Sequence, residues 1–285
     1  MNCKWNEETV QTRVLKINGS NAEITDEQIA VEKALTVYLN DKEFVTLVCS
    51  PGQENELVIG FLYMEGIINN LGQLAKISVN CQEGIAWVET TGEGLLAETL
   101  FLKRYLTSCC GKGRSSFYYA NDARLTKKID SSLKVTSQDI SYYIDLLDVY
   151  SELFRLTGGV HGGGIAAEGQ LHYFASDIGR HNVIDKLYGQ ALMDKIDFSD
   201  KIIVFSGRIS SEILIKTAKI GCPVLVGVSA PTDLALELAE ELGITVIGFA
   251  REGRMNVYTH EERVIISEKL SFSIGEKMLD VFSDG

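Results

Sequence analysis

The sequence predicts an α/β protein with a layered, mostly parallel sheet in its C-terminal half and a smaller β-rich subdomain before it. Two observations predict this. Beyond residue 200, three unbroken apolar runs at 201–205, 223–228 and 244–249 alternate with amphipathic stretches at 210–219 and 233–242. Strand–helix alternation of this kind builds parallel sheets through right-handed crossovers, and continuous Val/Ile/Leu runs suit strands buried on both faces. Before residue 91, by contrast, short segments rich in β-branched and aromatic residues dominate. A chain of 285 residues has room for about two domains. The polar Asp130-Ser131-Ser132 places the boundary there, giving 1–132 and 133–285.

In chain order, strands are expected over 9–16, 34–39 and 44–49, followed by a turn at Ser50-Pro51-Gly52. Leu57, Phe61 and Met64 recur at near-helical spacing and predict a helix over 53–65. Segments 76–81 and 85–90 flank Gln82-Glu83-Gly84 as a hairpin. Residues 103–116 are polar, Gly-rich and locally basic. Ser137 reads as the N-cap of one long helix that carries Ile140, Ile144, Leu147 and Phe154 on one face and stops at Gly158-Gly159. A hairpin around Glu168-Gly169 and a helix over 181–196 precede the alternating region.

Composition narrows the function. A net charge of −12 argues against a general nucleic-acid coat, which needs a basic surface. Hydrophobic residues at 45% and charged residues at 23% describe a globular chain rather than a disordered one. No apolar run is long enough to span a bilayer and the start lacks a secretory signal, so a cytoplasmic protein without membrane contact is expected. The six cysteines do not form a secreted disulfide pattern. Cys49, Cys81 and Cys222 lie in or beside apolar strands and read as core filler.

In open parallel sheets, ligands bind beyond the carboxyl ends of the strands. Those ends read Ser206-Gly207-Arg208, then Ser229-Ala230-Pro231-Thr232, then Phe249-Ala250-Arg251-Glu252-Gly253-Arg254. The first two open helices whose N-terminal amides favour anions, and Arg208, Arg251 and Arg254 suit phosphate. The alternative is a set of ordinary caps and surface arginines. Gly158-Gly159-Val160-His161-Gly162-Gly163-Gly164 carries five glycines in seven positions, which suggests backbone approaching a ligand, with His161 as donor or acid–base group. A lone histidine is as readily structural. Asp177-Ile178-Gly179-Arg180-His181-Asn182 reads as a second polar cluster, with Asp177 also able to cap the helix.

Cys109-Cys110-Gly111-Lys112-Gly113-Arg114 sets two thiols among cations, which favour the reactive thiolate. Adjacent Cα atoms lie about 3.8 Å apart, below the usual disulfide span of about 4.4–6.8 Å. Zinc lacks a second Cys pair at ligand spacing, so no resident metal is expected. A nucleophile, a sulfur carrier, or inert loop thiols remain.

Taken together, Thr157-Gly158-Gly159-Val160-His161, the run from Asp177 to Lys186, Ser206-Gly207-Arg208-Ile209-Ser210-Ser211-Glu212, Ser229-Ala230-Pro231-Thr232 and Gly248-Phe249-Ala250-Arg251 resemble the FdhD family of sulfur carrier proteins. The resemblance implies a cytidine-deaminase-like fold without zinc and a homodimer. It implies a protein that takes sulfur from a cysteine desulfurase as a persulfide and passes it to the molybdenum cofactor, in its bis-guanine-dinucleotide form, for formate dehydrogenase. Aligning the family's Cys-Gly places the persulfide on Cys110. The second family cysteine falls on Gly113, and Cys109 replaces a serine as a candidate helper thiol. The family's cofactor segment maps onto Phe249 through Arg254. With the strand-end and glycine-loop readings, the expected cofactor contacts are Phe249, Ala250, Arg251, Glu252, Gly253, Arg254, Ser206, Gly207, Arg208, Gly159, His161, Arg180, His181, Ser229 and Thr232. A deaminase-like nucleotide hydrolase and a non-catalytic cofactor chaperone are the competing functions.

Overall fold

The computed structural model describes residues 7–91 and 126–266. Its N-terminal part begins with a ribbon, β1 (Thr9–Asn18) against β2 (Asn21–Ala30), paired antiparallel along ten residues each. The sequence reading misses β2, because Thr25, Asp26, Glu27 and Gln28 supply no apolar alternation. Leu15, Ile17 and Ile24 stand exposed near the ribbon tip. A four-stranded sheet follows, in the order β4 (Lys42–Cys49), β3 (Lys33–Leu39), β6 (Ile85–Thr90), β5 (Leu74–Asn80). Helix α1 (Glu54–Met64) covers it, and Leu57, Val58, Phe61 and Leu62 share a core with Leu35, Val37 and Val88.

The C-terminal part is a six-stranded sheet between two helical layers. In chain order it comprises β7 (Val135–Thr136), α2 (Ser137–Tyr150), α3 (Glu152–Thr157), β8 (His161–Ala167), β9 (Gln170–Asp177), α4 (Arg180–Met193), β10 (Ile202–Phe205), α5 (Ser211–Ile220), β11 (Val224–Gly227), α6 (Asp233–Leu242), β12 (Thr245–Arg251) and β13 (Arg254–Val257). A short β14 (Val264–Ile265) pairs with β7. The strand order is β13-β12-β11-β10-β8-β9. Helices α4, α5 and α6 pack on one face, burying Val183, Leu187, Ile213, Leu214 and Ala239 against Ile203, Leu225 and Val246. Helix α2 covers the other, with Ile140, Ile144 and Leu147 on Val204, Val226 and Ile247.

The sheet is mixed, which qualifies the mostly parallel expectation. Strands β10, β11 and β12 pair in parallel, while β8 runs antiparallel to both β9 and β10, and β13 is antiparallel to β12. Because β8 reverses twice, β9 points the same way as β10, β11 and β12. Four carboxyl ends therefore meet at one edge. Three of them lead directly into α4, α5 and α6, so three helix N-termini open there too.

Two local expectations change. The helix begins one residue earlier, at Thr136, whose hydroxyl accepts from Asp139 N–H while Asp139 reaches back in a capping box. It also breaks at Ser151, whose hydroxyl turns back to Leu147 O at 2.6 Å, dividing the long helix into α2 and α3.

The two parts meet where α1 crosses α4. A Cβ on Gly60 would stand 1.9 Å from Asp185 O, and one on Gly189 would stand 1.9 Å from Glu56 O. Both positions need a glycine for the backbones to come this close. Among the described residues no helix is long and apolar enough to cross a membrane.

Candidate functional site

The carboxyl edge is stitched into a continuous rim. At the start of β8, Gly162 N–H donates to Ser206 Oγ at 2.9 Å, and Ser206 N–H returns a bond to Gly162 O at 2.9 Å. Ser229 Oγ donates to Ser206 O at 3.1 Å, and Phe249 N–H donates to Ser229 O at 3.3 Å. Between them, Ile209 N–H reaches Ala230 O at 3.2 Å and Thr232 N–H reaches Ile209 O at 3.0 Å. Gly162, Ser206, Ser229, Thr232 and Phe249, separate in sequence, thus form one ledge across β8, β10, β11 and β12. Gly207 is buried in it: a Cβ there would strike the Phe205 ring at 2.7 Å and stand 3.5 Å from His161 Nδ1. Arg208 projects exposed beside it.

Segment 249–254 is a tight hairpin. Arg251 and Arg254 face each other across Glu252 and Gly253, both at positive φ (51° and 71°), as a two-residue hairpin of the mirror-image turn type requires. Phe249 sits at φ 52° at the irregularity in β12, with its side chain 41% exposed, while Ala250 beside it is buried. A bulky residue held in the left-handed region costs energy that surrounding structure must offset, and such strain concentrates at functional sites. Arg254 is engaged by Glu252 at 2.6 Å, with both side chains in solvent. Arg251 is exposed.

His161 begins β8, opposite Asp177 of β9, with its ring 6.4 Å from that of Phe205. Burial, then the neighbouring Arg180 guanidinium, push its pKa below that of an ordinary histidine, against a smaller pull from Asp177. The imidazole is therefore held toward its neutral form. His181 Nε2 meets Glu212 Oε2 at 2.9 Å and so joins the starts of α4 and α5.

Asp177 proves to be a buried hub. Its carboxylate accepts from Lys186 Nζ at 2.8 Å, Ser50 N–H at 3.0 Å, Gly179 N–H at 2.8 Å and Asn182 Nδ2 at 2.9 Å. Lys186 also donates to Ser50 O and Ser176 O. Every charge is met, and the network fastens the end of β4 to the start of α4.

The glycine run is a correction. Gly162, Gly163 and Gly164 lie within strand β8 and are buried; packing explains them. Cβ atoms there would stand 2.9 Å from Ser151 Oγ, 2.8 Å from Val183 Cγ1 and 2.4 Å from Leu171 Cδ1. Gly159 is exposed just before β8 and lies beside β2, where a Cβ would meet Ala30 at 3.2 Å. The sequence reading did not single out Ser210 or Glu212 as site residues. Ser210 is the N-cap of α5, yet its hydroxyl makes no capping bond and is buried without a partner; Arg180 Nε, at the start of α4, is likewise buried and unpartnered. A serine before an amphipathic run was visible, but its unused hydroxyl was not. Cys49, Cys81 and Cys222 are buried as expected, and burial pushes the Cys49 and Cys222 thiols up to about 12. Cys109, Cys110 and the loop around them lie outside the described residues.

The model of the FdhD/NarQ family matches residues 30–265. The chain belongs to the FdhD/NarQ family. Among curated relatives, the sulfur carrier protein FdhD of Halalkalibacterium halodurans is 44% identical over 258 residues, covering 90% of this chain and 96% of that one. That of Geobacillus kaustophilus is 47% identical over 249 residues, covering 87% and 94%. In fold, this FdhD/NarQ chain is similar to the crystal structure of a protein from Desulfotalea psychrophila described as a formate dehydrogenase accessory protein. The TM-score is 0.74 at 24% identity, with 91% of this chain and 100% of that one covered.

Proposed function

We propose that this FdhD/NarQ protein is a sulfur carrier that accepts sulfur on Cys110 and delivers it to the molybdenum cofactor destined for formate dehydrogenase. The observation that carries the reading is the relatives named as sulfur carriers, matched over nearly their whole length. The rim supports the cofactor side. A bis-guanine-dinucleotide cofactor is a long, polyphosphate-bearing substrate, and an edge with three helix N-termini and exposed Arg208 and Arg251 suits such anions. Strained, exposed Phe249 offers a flat apolar surface beside it.

In the first step the Cys110 thiolate attacks the outer sulfur of a cysteine desulfurase persulfide. A new S–S bond forms on Cys110, the donor's S–S bond breaks, and the donor cysteine leaves as thiolate. Lys112 and Arg114 favour the attacking thiolate. The protein acts in the cytoplasm as a homodimer, with 1–132 carrying the loop of Cys109 and Cys110 and 133–285 holding the cofactor.

Incubation with a desulfurase and cysteine, followed by intact and peptide mass spectrometry, tests this. A gain of about 32 Da, one sulfur atom, is expected on Cys110 and lost in Cys110→Ala. Sulfur mapped only to Cys109 would show the cysteine alignment to be off by one. Full support of formate dehydrogenase by a Cys109→Ala/Cys110→Ala double variant would reduce the protein to a cofactor chaperone.

A further inference from the structure

Helices α4 and α5 start side by side at the rim, tied by His181 to Glu212 at 2.9 Å. Neither start is capped by its own side chain. Gly179 has none to offer, and Ser210 leaves its hydroxyl unused. A serine at an N-cap ordinarily accepts from an amide of the first turn, so its failure to do so is unusual. The hydroxyl is not released to water either; Ser210 Oγ and Arg180 Nε are both buried atoms without a hydrogen-bond partner. Leaving such groups unpaired is costly, and each one in a folded protein calls for a missing partner. Here two donors are orphaned, one from each of two helix starts that His181 and Glu212 tie together. The acids nearby are accounted for: Asp185 is paired with Lys216 one turn further in, and Glu212 with His181. Asn182 is occupied by Val48 O and Asp177.

We propose that the joined starts of α4 and α5 form a phosphate subsite, in which Arg180 Nε and Ser210 Oγ donate to one phosphate group of the bound ligand. The inference rests on the sulfur-carrier reading for the ligand's class, a phosphate diester or diphosphate. It separates this subsite from the 249–254 hairpin, where Arg254 is already engaged by Glu252 in solvent. Glu212 acts against the anion. It stands in the first turn of α5, where the helix dipole favours its negative charge, and it meets His181 at 2.9 Å.

Calorimetric titration of the full-length protein with inorganic pyrophosphate tests the subsite. The wild type binds. Arg180→Gln weakens binding about ten-fold or more and Ser210→Ala about five-fold, in line with charged and neutral hydrogen bonds respectively. Glu212→Gln keeps an oxygen for His181 and removes the opposing charge, so it tightens binding about five-fold. A tightening cannot come from a damaged fold, which keeps the test decisive if either of the other variants unfolds. No pyrophosphate binding to the wild type, equal affinity in Arg180→Gln and Ser210→Ala, or no gain in Glu212→Gln would each overturn the subsite. Sulfur loading of Cys110, followed by mass in the same samples, reports on the carrier reading separately.

Discussion

Asp177 shows how much a single residue can hold. Its carboxylate takes four donors, one of them the ammonium of Lys186, and both side chains of the pair are almost wholly shielded from water. Buried pairs gain little over apolar substitutes, but removing one partner strands the other charge and costs about 3–5 kcal/mol. Asp177→Asn is therefore expected to lower unfolding free energy by about that amount in urea titrations, and Asp177→Asn/Lys186→Met to recover a large part of it. A single variant within about 1 kcal/mol of wild type would contradict the hub. In the sequence Asp177 read as a polar cluster residue or a simple cap. That was half the truth, because its bond to Gly179 is local while its bond to Ser50 spans 127 positions. His161 shows the same limit. Its type was legible, whereas its tilt toward the neutral form comes from burial and Arg180, which only the fold brings together.

Elements were legible where local pattern and tertiary demand agreed. The runs that became β10, β11 and β12 are apolar throughout because both faces are covered, so their sequence announces them. The run Gly162-Gly163-Gly164 has no β propensity and still forms a strand, since Ser151 and Phe174, Val183 and Leu187 of α4, and Leu171 of β9 fill the space that side chains would need. The crossing of α1 and α4 makes the same point in energetic terms. In an exposed helix, replacing glycine by alanine adds about 1 kcal/mol of stability. At Gly189 the new methyl would lie 1.9 Å from a backbone carbonyl, which cannot swing aside as a side chain can. Steric overlap wins, and Gly189→Ala or Gly60→Ala is expected to cost about 1–3 kcal/mol or more, read as a drop in thermal midpoint. A rise in the midpoint would mean that the helices are further apart than described.

For the molecule as a whole, the decisive feature is direction. Sequence alternation exposed three strand ends that lead to the edge; the fourth, β9, was hidden because an antiparallel β8 lies between it and β10. Once β9 is counted, Arg180, His181, Ser206, Ser229 and Phe249 fall on one side of one sheet, though they span about 70 residues of chain.

The glycine-to-backbone contact between α1 and α4 also bears on how the protein opens. Helix α1 is anchored in the N-terminal core and α4 in the C-terminal one, and the Asp177 network bolts their approach from one end. Neither helix can part from the other without tearing both cores. Their amide protons should therefore exchange with solvent deuterium at a shared, slow rate set by a joint opening, well below the rate for the ribbon of β1 and β2, which stands outside both cores. If α1 exchanges quickly while α4 stays protected, the two halves breathe independently, and the rim is held by the C-terminal part alone.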